Sequence, residues 1–334
     1  MDPVEALRRI AFLLERQLAQ SHRIKAYRKA ADRLEQVGAQ RVAQLAESGK
    51  LTSLPDVGPK TALIATQALA GQPDYLAQLE SEAIALVPGV EQVRAWIRGD
   101  LHTHSSASDG GSPIEHMATA AIGTGLEYLA LTDHSPRLTV ANGLTAQRLR
   151  GQLDQIAALN AALAPFRILT GIEVDILDDG SLDQDADLLA ELDVVVASVH
   201  SKLRLDADSM TRRMVQAIAN PAVDVLGHCT GRLIAGDRGT REQSSFDAEL
   251  IFEACRRFGV AVEINCRPER RDPPTALLRL AHDMGCEFAL NTDAHAPGQL
   301  DFLDYGCARV AELSIARDRI INTKTVEDLL EWAA

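Results

Sequence analysis

His102 and His104 stand one residue apart at the end of a short apolar run, Asp100-Leu101-His102-Thr103-His104, with Asp109-Gly110 close behind. On a strand, residues i and i+2 point to the same side, so this spacing offers two imidazoles to one cation. Further β-rich runs end in the same way, at Asp133-His134, Glu173, His200, His228, and Asp293 with His295. A lone histidine is more often a core or surface residue than a ligand. Six of the nine histidines fall at such run ends, however, and that concentration favours ligation. His22, His116 and His282 lie in helical segments and are expected to take no part. Imidazole and carboxylate donors suit Zn, Mn or Fe. His102 and His104 could share one ion with Asp293. Glu173, read as standing just beyond a strand over 167–171, could bridge two ions. Asp109, His134 and His295 could gather a third.

A multinuclear cluster without a paired Ser/His nucleophile points to hydrolysis by metal-bound hydroxide, with neighbouring ions stabilising the attacking and leaving oxygens. A phosphoryl group suits such a site because its oxygens bridge cations. Arg232, in Thr230-Gly231-Arg232, and Lys202, after His200, are expected to bind phosphate oxygens and stabilise the transition state. Arg267 and Arg270, after the sixth strand, are expected to bind substrate.

These groups need a scaffold that brings strand ends together. From Ile97 onward, strands are expected over 98–101, 127–132, 166–172, 193–198, 223–227, 260–265 and 287–291. Helices are expected over 113–124, 145–162, 210–219, 247–258 and 274–284. Seven β/α repeats with polar residues at each strand's C-terminal end suggest a barrel, whose reactive groups sit on the loops after the strands. An open doubly wound sheet would gather its site at one switch point instead. Residues 1–83 read as an all-helical domain, with helices from about Val4 to Leu18, Arg23 to Val37, Arg41 to Glu47 and Thr61 to Leu69. A linker is expected over 84–97 and the barrel domain over 98–334.

The chain has 334 residues, enough for two domains with full-sized cores. Its net charge of −13 is uneven: residues 1–70 carry eleven Lys or Arg against seven Asp or Glu, a balance of +4, which leaves −17 for the rest. The acidic part suits a site that gathers cations, and the basic part could meet a polyanion. Five cysteines without a C-x-x-C pair argue for a reducing, cytoplasmic setting rather than a disulfide framework. No signal peptide is expected at the N-terminus, and no apolar run is long enough to span a bilayer, so no membrane partner is expected.

The set His102-x-His104, Asp109-Gly110, Thr132-Asp133-His134, Gly171-Ile172-Glu173-Val174-Asp175, Ser198-Val199-His200-Ser201, Gly227-His228 and Asn291-Thr292-Asp293-Ala294-His295 resembles the polymerase-and-histidinol-phosphatase (PHP) superfamily, over about residues 98–334. The resemblance implies a distorted (β/α)7 barrel with a trinuclear centre. It implies His102, His104, Glu173 and Asp293 on one ion, Glu173, His200 and His228 on a second, and Asp109, His134 and His295 on a third. Ile97-Arg98-Gly99-Asp100-Leu101-His102, Ala141-Asn142-Gly143-Leu144, His228-x-Thr230-Gly231-Arg232, Glu263-Ile264-Asn265 and Pro297-Gly298-Gln299-Leu300-Asp301 are most similar to the C-terminal PHP domain of bacterial family X DNA polymerases. Cys229 departs from a common proline there. Cys229 and Cys266 are expected as small core fillers.

Residues 1–70 resemble the helical N-terminal domain of the same polymerases, through Lys25-Ala26-Tyr27-Arg28-Lys29-Ala30-Ala31 and the helix-hairpin-helix Leu54-Pro55-Asp56-Val57-Gly58-Pro59-Lys60-Thr61-Ala62. The likeness implies DNA binding, with Lys25, Arg28, Lys29, Gly58 and Lys60 the candidate contacts. Asp56 stands where a glycine is usual, and Ile64 where the related polymerase beta domain has a Schiff-base lysine, which speaks against a lyase activity. About thirty residues separate the hairpin from Asp100, too few for a polymerase palm, so no nucleotide polymerisation is expected. The expected function is a phosphoesterase using three divalent ions at DNA 3′ ends, as a 3′-phosphatase or 3′-5′ exonuclease. A small-molecule phosphatase, for instance on histidinol phosphate, and a non-catalytic DNA-binding scaffold are the alternatives.

Overall fold

The computed structural model describes residues 1–17, 19–82, 88–235 and 239–334. The chain divides into two compact units, Met1–Ala85 with Ala235–Gly239, and Leu86–Ile234 with Thr240–Ala334.

The first unit is helical: Pro3–Arg16, Ser21–Val37, Ala39–Glu47, Pro59–Leu69 and Asp74–Glu82, with a 3-10 turn at Leu51–Ser53. Leu7, Ile10, Ala11 and Leu14 recur at helical spacing and are buried together with Ala30, Ala31 and Leu34 of the next helix. Leu18, expected to end the first helix, lies outside the described residues. In the hairpin, Gly58 is extended at the N-cap and Pro59 opens the helix, where its missing N–H costs nothing. Asp56 sits in the left-handed region at φ 63°, which is the physical reason a glycine suits that position.

The second unit carries seven parallel strands in a nearly closed barrel, in chain order: β1 (Gly99–Thr103), β2 (Tyr128–Leu131), β3 (Arg167–Asp175), β4 (Val194–Ser198), β5 (Val225–Leu226), β6 (Ala261–Asn265) and β7 (Phe288–Asn291). Helices alternate with them: Ile114–Gly123, Ala146–Leu163, Ala186–Leu189, Ala207–Ile218, Ala248–Phe258, Thr275–Asp283, Leu303–Leu313 and Val326–Ala333. Strand lengths differ from expectation because neighbours set them. β3 pairs residues 167–170 with β2 and residues 171–175 with β4, so it runs past Gly171 and Glu173 lies inside the strand, not beyond it. β1 extends to Thr103 and carries His102 within it, whereas β5 keeps only two residues. The helix expected from residue 210 starts at Ala207, capped by Asp206, whose side chain accepts the Ser209 N–H at 2.9 Å. Within the stretch read as a linker, residues 84–87 lie outside the described residues, and Val90–Arg94 forms a helix that buries Val90 and Val93.

β1 and β7 meet through a bridge, Thr103 with Ala294, and a bond from His104 N–H to Ala294 O at 2.8 Å. Buried Asn322 fills the rest of the seam. Its amide donates to Gly99 O (3.0 Å) and Leu290 O (2.9 Å) and accepts the Leu290 N–H (2.6 Å), satisfying backbone groups that an open edge would strand. Leu101, Ala130, Leu169, Val194, Val196, Val225, Ala261 and Ala289 form the core, with Ile321, Leu329 and the partly buried Trp332 packed on it. The C-terminal segment thus plugs one end of the barrel. The other end, where the strands finish, holds the polar cluster.

Candidate metal centre

β1 carries His102 and brings in His104 just past its end. Where β2 stops, His134 bridges to Glu173 of β3, so an imidazole lies beside the carboxylate. His200, His228, and Asp293 with His295 follow β4, β5 and β7. Asp109 reaches back on the loop after β1. Gly110 permits that return: a Cβ there would lie 2.6 Å from Ser105 O.

All nine predicted donors converge. Glu173 is the hub. Its Oε2 lies 3.3 Å from His102 Nε2, 3.5 Å from His104 Nε2 and 2.9 Å from His134 Nδ1. Its Oε1 lies 3.1 Å from His200 Nε2 and 2.9 Å from His228 Nε2. Asp293 Oδ1 lies 3.5 Å from His104 Nε2 and 3.4 Å from His295 Nδ1. Asp109 Oδ1 lies 3.5 Å from His134 Nε2 and 3.3 Å from His295 Nε2. Among the described residues, three groups of donors come close enough to hold an ion: His104, Asp109, His134 and His295; His102, His104 and Asp293; and His134, Glu173 and His200. His22, His116 and His282 sit on helices, as expected.

The donor set fits divalent cations. Both Glu173 oxygens, His102 Nε2, both His104 nitrogens, and the Nδ1 atoms of His134, His200 and His228 are buried without a hydrogen-bond partner. Leaving such groups unpaired costs free energy, and those that face one another across the cage, the Glu173 oxygens with His102 Nε2, His104 Nε2 and His134 Nδ1, suit a cation between them. Donors about 2.1 Å from a tetrahedral ion stand about 3.4 Å apart, close to most separations in the cage. The local charges are strongly coupled. Burial opposes ionisation of Glu173, but His102, His200 and His134 hold its carboxyl well below the usual range. His104 is lowered by burial and by His295 and His134. Burial works against His200, yet Glu173 and Asp175 push it up to about 9.

The predicted cations divide into two pairs. Lys202 is exposed and ion-paired with Asp178. Arg232 is held against backbone, donating to Arg270 O (3.0 Å) and Arg271 O (2.6 Å). Arg267 and Arg270 stand at the cage. Arg267 donates to Asp293 O (2.9 Å) and lies 3.1 Å from His295 Nδ1. Arg270 is buried, with Nε 3.2 Å from Asp293 Oδ2 and Nη1 without a hydrogen-bond partner. Cys229 and Cys266 are buried core fillers, in contact with Asp272 and Ile264 O respectively.

Sequence reasoning gave no role to two buried carboxylates behind the cage. Asp133 accepts from Ser105 Oγ (2.6 Å), Gln152 Nε2 (2.6 Å) and Ser108 Oγ, tying down the loop that carries Asp109. Glu263 accepts from the surroundings of His102 and His228. A charge in the middle of the otherwise apolar run Val260–Ile264 was the available signal.

In the first unit, Gly58, Lys60, Lys25 and Lys29 are exposed and Arg28 is partly so. Lys60 Nζ lies 5.9 Å over the Tyr75 ring. Asp56 is 3.4 Å from Arg33 Nη2, which offsets its charge beside the hairpin. Ile64 is buried, so the lysine position of the related domain here belongs to the core.

A family model described as PHP domain matches residues 100–267, which include seven of the nine donors, and one described as helix-hairpin-helix domain matches residues 1–72. The chain belongs to the PHP domain family. It is 42% identical over 233 residues to the DNA polymerase/3'-5' exonuclease PolX of Bacillus subtilis, covering 70% of this chain and 40% of that protein, so it spans well under half that relative's length. It is 27% identical over 235 residues to a probable phosphatase of Thermoanaerobacter sp., covering 67% of this chain and 89% of the relative. A solved structure of histidinol phosphate phosphatase from Lactococcus lactis, complexed with zinc, L-histidinol and phosphate, matches with TM-score 0.46 at 21% identity, over 65% of this chain and 92% of that one. Within this PHP domain the converging His, Asp and Glu side chains form candidate sites for metal ions. Among the described residues, no helix is long and apolar enough to cross a membrane.

Proposed function

We propose that this PHP chain removes a 3′-phosphate or 3′-nucleotide from DNA ends, using three divalent ions drawn from Zn, Mn or Fe, and does not polymerise nucleotides. One observation carries the hydrolytic part: nine donors converge, and five imidazoles approach the two oxygens of Glu173 without a hydrogen bond to either. The helix-hairpin-helix unit in the same chain, and the exonuclease named in the Bacillus relative, support DNA as the substrate.

Bound ions supply Lewis acidity towards water and towards phosphoryl oxygens. The chain's residues do the rest. His102, His104 and Asp293 would hold one ion with Glu173; Glu173, His200 and His228 would hold the second; Asp109, His134 and His295 would hold the third. Arg270 and Arg267 set positive charge beside Asp293, where phosphoryl oxygens gather. Lys202 and Arg232 stand as further phosphate contacts, Lys202 only after leaving Asp178. Lys25, Arg28, Lys29, Gly58 and Lys60 offer a duplex the backbone N–H and cationic contacts that position phosphates. The free, buried thiols support a cytoplasmic setting.

The second reading, a small-molecule phosphatase, is favoured by the probable phosphatases that align over most of their own length. Turnover of a 3′-phosphorylated duplex against histidinol phosphate, with each metal added, separates the two. Preference for the duplex, lost when Lys25 and Lys60 are replaced, supports DNA ends. Equal or better turnover of histidinol phosphate supports the second reading. A scaffold would take up no metal and turn over neither.

A further inference from the structure

Glu263 lies in β6 without exposed surface, and it belongs to none of the donor groups. Its carboxylate nevertheless meets four partners. Oε1 faces His102 Nδ1 at 2.6 Å and accepts from Asn291 Nδ2 at 3.0 Å. Oε2 accepts the His228 backbone N–H at 2.7 Å and Asn265 Nδ2 at 3.1 Å. A carboxylate offers about four lone-pair sites, so these contacts occupy them all and leave none for a cation. An ionised carboxylate with no access to water is tolerated only when it is fully hydrogen-bonded, and this one is.

The contacts have direction. An acceptor on His102 Nδ1 requires the proton to sit there, which leaves the Nε2 lone pair facing the cage, 3.3 Å from Glu173. The second amide proton of Asn265 reaches Asp293 Oδ2 at 3.2 Å, so the same carboxylate is linked to a donor from the far side of the seam. We infer that Glu263 is a positioning residue: it selects the Nδ1–H tautomer of His102 and fixes His102, His228 and Asp293 relative to one another, thereby setting the affinity of the ion that His102, His104 and Asp293 share with Glu173. This rests on the reading of the cage as a metal centre.

Glu263→Gln keeps the volume but turns one acceptor oxygen into an amide donor, which must face either His102 and Asn291 or His228 and Asn265. Zinc titration against a competing chelator should then show one site weakened about 10–100-fold, the range for losing a partner that orients a histidine ligand, with the site of Asp109, His134 and His295 unchanged. Independently of whether that variant folds, long-range ¹H–¹⁵N spectra of the zinc-loaded wild type should show His102 protonated at Nδ1, assigned by its loss in His102→Asn. An Nδ1 without a proton, or a folded Glu263→Gln that binds zinc like the wild type, overturns the inference and leaves the metal centre intact. A wild type that takes up none of Zn, Mn or Fe overturns both.

Discussion

The mouth of the barrel and the surface of the hairpin unit treat charge in opposite ways. At the mouth, most ionisable groups are buried and face one another, and many of their polar atoms have no hydrogen-bond partner. On the hairpin unit, charges are exposed and several pair locally, such as Arg8 with Glu35 at 2.7 Å and Arg33 with Asp56 at 3.4 Å. Exposed pairs of this kind are worth at most about 1 kcal/mol and constrain function little. Buried unpaired donors cost far more, so their persistence identifies a binding site. The chemistry is therefore read from what the fold leaves unsatisfied rather than from where charge is abundant.

The largest effect should come from the hub. Glu173→Ala should remove the shared carboxylate and leave about one ion, that of His104, Asp109, His134 and His295, with phosphoesterase activity down by roughly 100–1000-fold or more. Elemental analysis and turnover on the same sample check this, and retention of full metal content would remove Glu173 from its place. His134→Ala should lose hydrolysis sharply while duplex affinity, measured by fluorescence anisotropy, stays near wild type, because its partners Asp109 and Glu173 all belong to the cage. A parallel fall in both would mean that the two regions are not independent. Lys60→Ala should do the reverse, weakening duplex binding and reducing its salt slope by about 1 while leaving metal content unchanged.

The smallest expected effect concerns two carboxylates that the donors around them separate. Glu263 is buried, but His102 and its other donors keep its carboxyl below the usual range. Asp224 has one backbone donor, from Val195, and burial pushes its carboxyl up to about 7 from 3.8. A raised carboxyl takes up a proton on folding, so its contribution to stability is full below about pH 4 and is lost as pH rises through about 7. The Tm of Asp224→Asn relative to wild type should therefore climb across that window and level off above it. A flat difference would mean that Asp224 is ionised in the folded chain throughout.

The convergence of the nine side chains was legible because a β/α barrel converts a sequence rule, polar residues at strand ends, into a spatial one. Strand ends themselves were less so: β3 is long because β2 and β4 pair with different halves of it, and that stagger is a tertiary property. The local partners of the cations were not legible. Arg232 turns to two carbonyls and Lys202 to Asp178, partners set by loop packing, while Arg270 lies buried beside Asp293. Glu263 escaped for the same reason, since its four donors come from β1, from β6 itself, from β7 and from the turn after β5.

Metal occupancy of the purified chain is the most direct measurement, by elemental analysis and by anomalous diffraction at the metal edges. About three divalent ions clustered around Glu173, within reach of His102, His104, Asp109, His134, His200, His228, Asp293 and His295, are expected. A preparation that remains metal-free after incubation with Zn, Mn and Fe, or ions bound away from Glu173, would contradict the assignment of this barrel mouth as a hydrolytic metal centre.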